Sequence, residues 1–326
     1  MSSRPNRCGS RRRAGQALIG RPVLATAASL CLLMAAGGGA LAGDFLDALG
    51  FEGRVVDAAH LPPESAPAAA SAPGDALPDG RPAFGNMDIR EAWLIAPTAR
   101  YGHGVLGDAT EAGGLFVRGS DGGTYRYMLP EDAVFEDLQP RLADLDGDGL
   151  SEVIVVKSYL ASGAALALYG LRDGALQPLD ETPPVGHANR WLNPAGTADF
   201  DGDGHEDVAY VETPHIGGTL HVYRFVGQRL EPVASRAGFS NHAIGSRALD
   251  LSHAGDLDAD GRAELILPGM GRRTLAVVSL DEGELRVRDR IRLPARVVGD
   301  FRWAGGETGS DLYVPLADGS AYRLSR

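Results

Sequence analysis

Three stretches of the chain carry the same acidic motif: Leu142-Ala-Asp-Leu-Asp-Gly-Asp-Gly-Leu-Ser-Glu-Val-Ile-Val-Val156, Thr197-Ala-Asp-Phe-Asp-Gly-Asp-Gly-His-Glu-Asp-Val-Ala-Tyr-Val211 and Ala254-Gly-Asp-Leu-Asp-Ala-Asp-Gly-Arg-Ala-Glu-Leu-Ile-Leu-Pro268. They align without gaps, and their leading aspartates, Asp144, Asp199 and Asp256, lie 55 and 57 residues apart. Similarity at a nearly fixed period indicates a repeat architecture. Each acidic segment runs into a short apolar stretch rich in β-branched residues, which is typical of a buried β-strand.

Two weaker copies of the unit flank the three clear ones. One starts at Asp108 and the other at Asp300. A unit of this length has room for four short strands, which make one blade of a β-propeller. The sequence therefore predicts an all-β fold, a five-bladed propeller over residues 86–326, with four blades as the alternative if the first unit only decorates the rim. The orphan strand Glu91–Ala96 is expected to close the ring by pairing with the last blade, whose third strand is Ala321–Leu324.

The acidic loops have the composition of metal sites. Carboxylates occupy positions 1, 3, 5 and 9 of each loop, glycine occupies position 6, and the carbonyl of position 7 can serve as a neutral ligand. Hard oxygen donors in this number suit Ca²⁺, and no soft ligand accompanies them. The predicted ligands, for about three calcium ions, are Asp144, Asp146, Asp148, Leu150 and Glu152; Asp199, Asp201, Asp203, His205 and Asp207; and Asp256, Asp258, Asp260, Arg262 and Glu264.

Two other structures could carry acidic loops of this kind, an EF-hand and a metal-free surface turn. An EF-hand loop also begins D-x-D-x-D-G, but it needs a bidentate glutamate at position 12 and a helix on each side. Position 12 is Val155, Tyr210 or Leu267, each inside an apolar strand, so the EF-hand fails. The second alternative is a metal-free acidic surface turn, which three gapless copies disfavour.

These segments resemble the FG-GAP, or VCBS, repeats of bacterial exported proteins and of the integrin α-chain propeller. The resemblance covers residues 86–326 and is specific in three of the five units. It implies a calcium-binding propeller in which the metal loops join the first and second strands of a blade. The units at Asp108 and Asp300 lack the later acids, so we assign no metal to them.

The N-terminus predicts export. Residues 1–42 hold six arginines and no acid, then an uncharged stretch that ends in Ala40-Leu41-Ala42, as in a signal peptide. An uncleaved membrane anchor is the alternative, and the protein is then expected to meet a membrane only there. The Pro- and Ala-rich residues 43–85 are interpreted as a disordered tether. We therefore expect a periplasmic or secreted protein.

Charge and cysteine content restrict the partners and the means of stabilisation. The chain carries a net charge of −12, and without the six N-terminal arginines it carries −18. Such a surface repels phosphate backbones, so no nucleic-acid partner is expected. Both cysteines, Cys8 and Cys31, lie in the predicted signal, which leaves the mature protein without a disulfide. Bound metal would have to replace that stabilisation.

A second candidate site lies on the propeller face opposite the metal loops. Polar and aromatic residues cluster in the connections that reach this face: His103, His187, Arg190, Trp191, His215, Asn241 and His242. Histidine, arginine and tryptophan suit an anionic or sugar-like ligand. The alternative is that they pack and hydrogen-bond between blades.

The sequence thus favours an exported calcium-binding module that binds or scaffolds an unknown protein or glycan, with structural calcium. The alternative is a carbohydrate- or ester-directed enzyme that uses the opposite face. We predict no enzyme and name no catalytic residue, because no Gly-x-Ser-x-Gly elbow, cysteine nucleophile or His-Glu-x-x-His motif occurs.

Overall fold

Antiparallel β-strands dominate the computed structural model, which describes residues 44–63, 71–304 and 311–326. The other elements of these residues are one short helix, α1 (Asp44–Ala48), and two 3₁₀ turns, Ala58–His60 and Met270–Arg272. The all-β prediction is confirmed.

The strands follow one another in chain order with short connections. They are β1 (Glu52–Asp57), β2 (Ala83–Phe84), β3 (Ile89–Thr98), β4 (Glu111–Gly119), β5 (Thr124–Met128), β6 (Ala133–Phe135), β7 (Arg141–Ala143), β8 (Glu152–Tyr159), β9 (Gly163–Arg172), β10 (Ala175–Glu181), β11 (Leu192–Ala198), β12 (Asp207–Glu212), β13 (Thr219–Val226), β14 (Arg229–Ala237), β15 (His253–Gly255), β16 (Glu264–Pro268), β17 (Thr274–Asp281), β18 (Glu284–Arg292), β19 (Arg302–Ala304), β20 (Asp311–Pro315) and β21 (Ser320–Ser325).

Hydrogen bonding arranges these strands in four-stranded antiparallel sets. The third set is β11–β14 and the fourth is β15–β18, each a separate sheet in chain order. The fifth consists of β19, β20, β21 and β1. The first set (β2–β5) and the second (β7–β10) share one nine-stranded sheet, because β6 pairs with both β4 and β8.

The middle strands of each set are the most deeply buried. In β8, Val153–Val156 are fully buried, and the facing residues of β9, Ala164–Tyr169, are at most 1% exposed. Such continuous apolar strands are covered on both faces, whereas β18, the last strand of its set, alternates between buried and exposed residues. The sets therefore stack face to face, and burial of apolar surface between them provides the main stabilisation.

Neighbouring sets contact one another along the chain. β10 contacts β5 and β14, and β14 contacts β18, while β11 contacts β15. The fifth set meets the start of the first set through an ion pair between Arg81 and Asp300, at 3.7 Å. The described residues accordingly form one compact unit.

The N-terminal segment differs from its prediction in two respects. Glu91–Ala96 does not pair with the last set; it belongs to β3 and pairs with β4 and β2. The strand that completes the last set is β1, which runs antiparallel to β21 over Glu52–Asp57. The prediction of a disordered tether over residues 43–85 is therefore wrong for α1 and β1. Leu46 of α1 is buried where the helix contacts β18 of the fourth set, and β1 is held by backbone pairing with β21. Composition alone does not reveal these long-range contacts.

Residues 1–42, the predicted signal peptide, lie outside the described residues. Among the described residues, no helix is long and apolar enough to cross a membrane.

A core substitution tests whether α1 is part of the folded domain. Leu46 is 2% exposed and its backbone N–H donates to Asp289. We expect Leu46→Ala to lower the free energy of unfolding by about 2–4 kcal/mol, the range for buried leucines, as measured by urea denaturation. Val55→Ala is the control, because Val55 is 52% exposed and should cost under about 0.5 kcal/mol. Equal and negligible effects of both substitutions would instead support the prediction that this segment is a disordered tether.

Candidate metal centres

The three acidic loops occupy equivalent places in consecutive sets. They connect β7 to β8, β11 to β12 and β15 to β16, which are the first and second strands of their sets. Because strand direction alternates within an antiparallel sheet, these connections lie at one end of their sets and the next connections lie at the other end.

The first aspartate folds each loop back on itself. The Oδ2 atoms of Asp144, Asp199 and Asp256 accept the backbone N–H of the position-6 glycine at 2.9, 2.8 and 3.0 Å. Those glycines, Gly149, Gly204 and Gly261, have φ values of +83°, +90° and +89°. Side-chain-bearing residues rarely adopt this conformation, so glycine at position 6 is a backbone requirement.

The turn gathers carboxylates in all three loops. In each of them, three acids present oxygen atoms that lie within 4.8 Å of one another. The groups are Asp144, Asp146 and Glu152; Asp199, Asp201 and Asp203; and Asp256, Asp258 and Asp260. Each loop could hold a metal ion.

The position-5 aspartates also fix the local backbone. The Oδ1 atoms of Asp148, Asp203 and Asp260 accept the N–H groups of Leu150, His205 and Arg262 at 2.8, 3.0 and 2.9 Å. The predicted neutral ligands at position 7 are therefore held beside the acids.

The position-9 acids lie beneath the loops, where they are almost inaccessible to solvent. Glu152 and Asp207 are fully buried and Glu264 is 2% exposed. The Oε2 atoms of Glu152 and Glu264 accept the N–H of Leu145 and Leu257, at 2.9 and 3.0 Å. Burial raises the pKa of both glutamates to about 7. A cation next to them would favour the ionised form instead.

Arginines compensate the three loops unequally. Arg224, on β13, lies 2.5 Å from Asp201, 2.9 Å from Asp203 and 3.0 Å from Asp207. In the first loop, Arg172 donates to Glu152 at 2.7 Å and reaches Asp148 only at 3.5 Å.

The third loop has the least compensation of the three. Within the described residues, the acids of this loop form one ion pair with an arginine, between Asp260 and Arg262 of the same loop, at 3.0 Å.

An unsatisfied atom supports the fit of a cation in the first loop. The Oδ1 atom of Asp144 is buried and makes no hydrogen bond within the described part of the chain. A buried carboxylate oxygen without a donor is costly, and a bound cation would satisfy it. The surrounding donors are all hard oxygens, as calcium requires.

The leading aspartates of the two weaker units have other roles. Asp108 accepts the N–H of Thr110 and an arginine N–H from Arg247. Asp300 accepts the N–H of Asp250 from the neighbouring set. Both carboxylates help to join the connections between sets.

On the opposite end, the structure brings four of the predicted ligand-face residues together. The indole N–H of Trp191 donates to the carbonyl of Glu136, whose carboxylate lies 2.6 Å from His103 Nδ1. The ring of Trp191 contacts the imidazoles of His215 and His242.

Glu136 is the centre of this group, although the sequence did not single it out as a ligand. It is fully buried, and Ser158 donates to its second oxygen. In a serine hydrolase triad the serine hydroxyl bonds the histidine, which in turn bonds the acid. Here Ser158 and His103 both bond the carboxylate of Glu136, so this group is not such a triad. Asp137, its neighbour, pairs with Arg141 at 2.6 Å, so the two adjacent acids point to different partners, as expected on extended backbone.

The buried His242 and the half-buried His215 form a chain of fixed tautomers. His242 Nε2–H donates to the carbonyl of Ser246 at 3.0 Å, because a carbonyl can only accept. Its Nδ1 then accepts from His215 Nε2–H at 2.8 Å. Burial lowers the pKa of His242 to about 3 and that of His215 to about 4, so both are neutral at pH 7.

Not all of the predicted ligand face is accessible. Asn241 and His242 are fully buried, and Asn241 exchanges amide hydrogen bonds with the strand of Asn193. They belong to residues 238–252, a segment whose Gly245 N–H reaches the carbonyl of Val105 in the first set. For these two residues the packing alternative holds. His187 is exposed and Arg190 is half-buried, outside the group around Trp191.

Arg172 and Arg224 were also missed from the sequence. Arg224 could have been identified from the pairing of the strands, because it lies directly opposite Asp207 in the β12–β13 pair. That register depends on where the hairpin turns, which sequence alone did not fix.

The neutral histidines predict a pH dependence of stability. Between pH 6.5 and about 3 the unfolded chain binds a proton at His242 that the folded protein does not, so stability falls as the pH falls. We expect His242→Gln, which keeps a donor for Ser246, to reduce the loss between pH 7 and pH 5 by about 2 kcal/mol in urea unfolding. The control is the exposed His187→Gln, which should leave the slope unchanged. An unaltered slope in His242→Gln would contradict the neutral state of His242 in the folded protein.

Comparisons with known proteins agree with the repeat geometry. A family model described as an FG-GAP-like repeat matches residues 144–210 and again residues 199–267. Each match starts at the leading aspartate of one loop and ends in the strand that follows the next loop. No curated protein matched the chain. Residues 144–267 therefore carry repeats of the FG-GAP-like type.

Proposed function

We propose that the chain is an exported β-propeller of five four-stranded blades, stabilised by calcium, that acts as a binding or scaffold module. The observation that carries the proposal is the triplicate loop, in which aligned acids converge to within 4.8 Å. The family match supports a propeller, and the five strand sets supply its blades. Export rests on the sequence of residues 1–42.

Closure of the ring is supported at its seam. Strand β1 joins the fifth set from the N-terminal side of the chain, so the last blade is built from both ends of the sequence. The Arg81–Asp300 ion pair spans the gap between the first and fifth sets. Strand β1 covers the edge of β21 that would otherwise be open.

Calcium is proposed for a physical reason. Four carboxylates in one short loop repel one another, and a divalent ion with oxygen ligands removes that repulsion. The residues that would hold it are those predicted from sequence, with the position-9 acid beneath each loop. Bound calcium offsets two of the negative charges of the loop and cross-links its turn to the start of the following strand.

The proposed contribution to stability is large. A site held at a hundred times its dissociation constant stabilises the fold by about 2.7 kcal/mol, so three sites give about 8 kcal/mol. This is comparable with the net stability of a whole domain, about 5–15 kcal/mol.

Chelation tests the proposal directly. We expect EDTA to lower the melting temperature by more than about 10 °C, because 1 kcal/mol corresponds to roughly 2–4 °C in a domain of this size. Excess Ca²⁺ should restore the original melt, whereas the same concentration of Mg²⁺ should restore less, since Mg²⁺ fits crowded carboxylate loops poorly. An unchanged melt in EDTA, with metal-free protein verified by elemental analysis, would reject calcium stabilisation.

The unequal arginines predict unequal sites. Because Arg224 contacts three carboxylates of the second loop, calcium has to displace a cation there, and this site should be the weakest of the three. We expect Arg224→Gln to raise the affinity of the weakest site at least tenfold, about 1.4 kcal/mol, in calorimetric Ca²⁺ titration. Arg229→Gln removes the same charge from an exposed position and serves as the control. Three equal sites in the native protein would contradict the ranking.

A further inference from the structure

The first strands of four sets surround a cavity of about 370 Å³ that the acidic loops do not fill. Its polar lining consists of Arg141, Thr197, Asp250, Ser252, His253 and Trp303, and apolar side chains of the same and adjoining strands complete the wall. The volume lies in the range of small-molecule sites, which combine apolar walls with a few convergent polar groups.

Several polar groups in the wall have unused hydrogen-bonding capacity. Within the described residues, the hydroxyls of Thr197 and Ser252 make no hydrogen bond to the protein. Trp303 Nε1–H donates to His253 Nδ1 at 3.1 Å, so the neutral imidazole carries its proton on Nε2. Burial lowers the pKa of His253 to about 4, which keeps the ring neutral. Donors and acceptors thus face one cavity.

The charges of the wall disfavour an anionic ligand. Arg141 is already paired with the buried Asp137 at 2.6 Å. The carboxylate of Asp250 accepts from the neutral amide of Gln139 and leaves one net negative charge at the cavity, which would repel an anion. The other polar groups of the wall are hydroxyls, an indole N–H and a neutral imidazole, which suit uncharged hydroxyl groups of a ligand.

The wall also offers an aromatic surface. Trp303 is 38% exposed, whereas the other two tryptophans, Trp93 and Trp191, are 7% and 2% exposed. An indole ring can cover the C–H face of a ligand while its N–H stays bonded to His253.

We propose that this cavity is a binding site for a neutral saccharide, whose hydroxyls pair with Thr197, Ser252, Asp250 and His253 while its apolar face packs against Trp303. The site would give the proposed binding module its ligand class. It lies between the strand sets, apart from the group around Trp191 on the opposite end.

The test uses the full-length protein in Ca²⁺ with defined sugars. Calorimetry and tryptophan fluorescence are recorded with glucose, galactose, mannose and cellobiose, and with charged glucuronate and glucosamine. We expect at least one neutral sugar to bind with a dissociation constant below about 10 mM and to change the emission, because Trp303 is the exposed indole.

Variants locate the binding. The double substitution Thr197→Val and Ser252→Ala removes two hydroxyls with little change of volume and should weaken binding at least tenfold. Trp303→Ala should do the same, followed by calorimetry because the fluorescent reporter is lost. Thr124→Val alters an exposed threonine on β5 and is the matched control. Melting temperatures of all variants verify folding.

Three results would overturn the proposal: no sugar binds, a charged sugar binds at least as tightly as its neutral counterpart, or the variants bind like the native protein. Calcium titration of the same samples tests the proposed function separately. Because the cavity residues are not among the predicted metal ligands, a protein that binds calcium but no sugar would reject the saccharide site alone.

Discussion

The structure depends on how each acidic loop manages the repulsion between its carboxylates. Backbone geometry and hydrogen bonding reduce part of this repulsion. The Oδ2 atom of the leading aspartate accepts the N–H of a glycine with positive φ, and this bond fixes the turn of the loop. The backbone amides of the loop take up further oxygens. What remains is negative charge on the other oxygens, which a cation has to balance.

The repulsion between carboxylates also affects the arrangement of the sheets, because each loop connects two strands. Each one joins the exposed end of a first strand to the start of a deeply buried second strand, and its position-9 acid begins that second strand. An ion bound in the loop would therefore fix the start of the buried strand as well as the turn. Arg172 and Arg224 contact the same acids from the neighbouring strand, so the sheet itself supplies some of the positive charge.

The residues at the opposite end show a different use of polar groups. There the carboxylate of Glu136, the chain of His215 and His242, and the amides of Asn193 and Asn241 are buried and bonded to protein atoms. These buried hydrogen bonds hold particular connections in one arrangement, here residues 238–252 across the first set. Polar residues that look alike in the sequence therefore have different roles. Asn241 forms structural hydrogen bonds in the interior, whereas His187 is exposed.

The sequence by itself determined the features that are local and periodic. The repeated D-x-D-x-D-G loop predicted the turn, the grouping of acids and the strand that follows, because the glycine and the aspartates act within nine residues of one another. It also predicted the family and the all-β class.

Only the tertiary structure decided the features that join distant residues. Pairing of Glu52–Asp57 with β21 spans nearly the whole chain, and α1 is held against β18, more than two hundred residues away in the sequence. Arg224 reaches three acids because of strand register, and Asn241 and His242 are buried because a connection crosses to another set. Such contacts are selected by the total area and hydrogen bonding of the folded state, which no short stretch of sequence encodes.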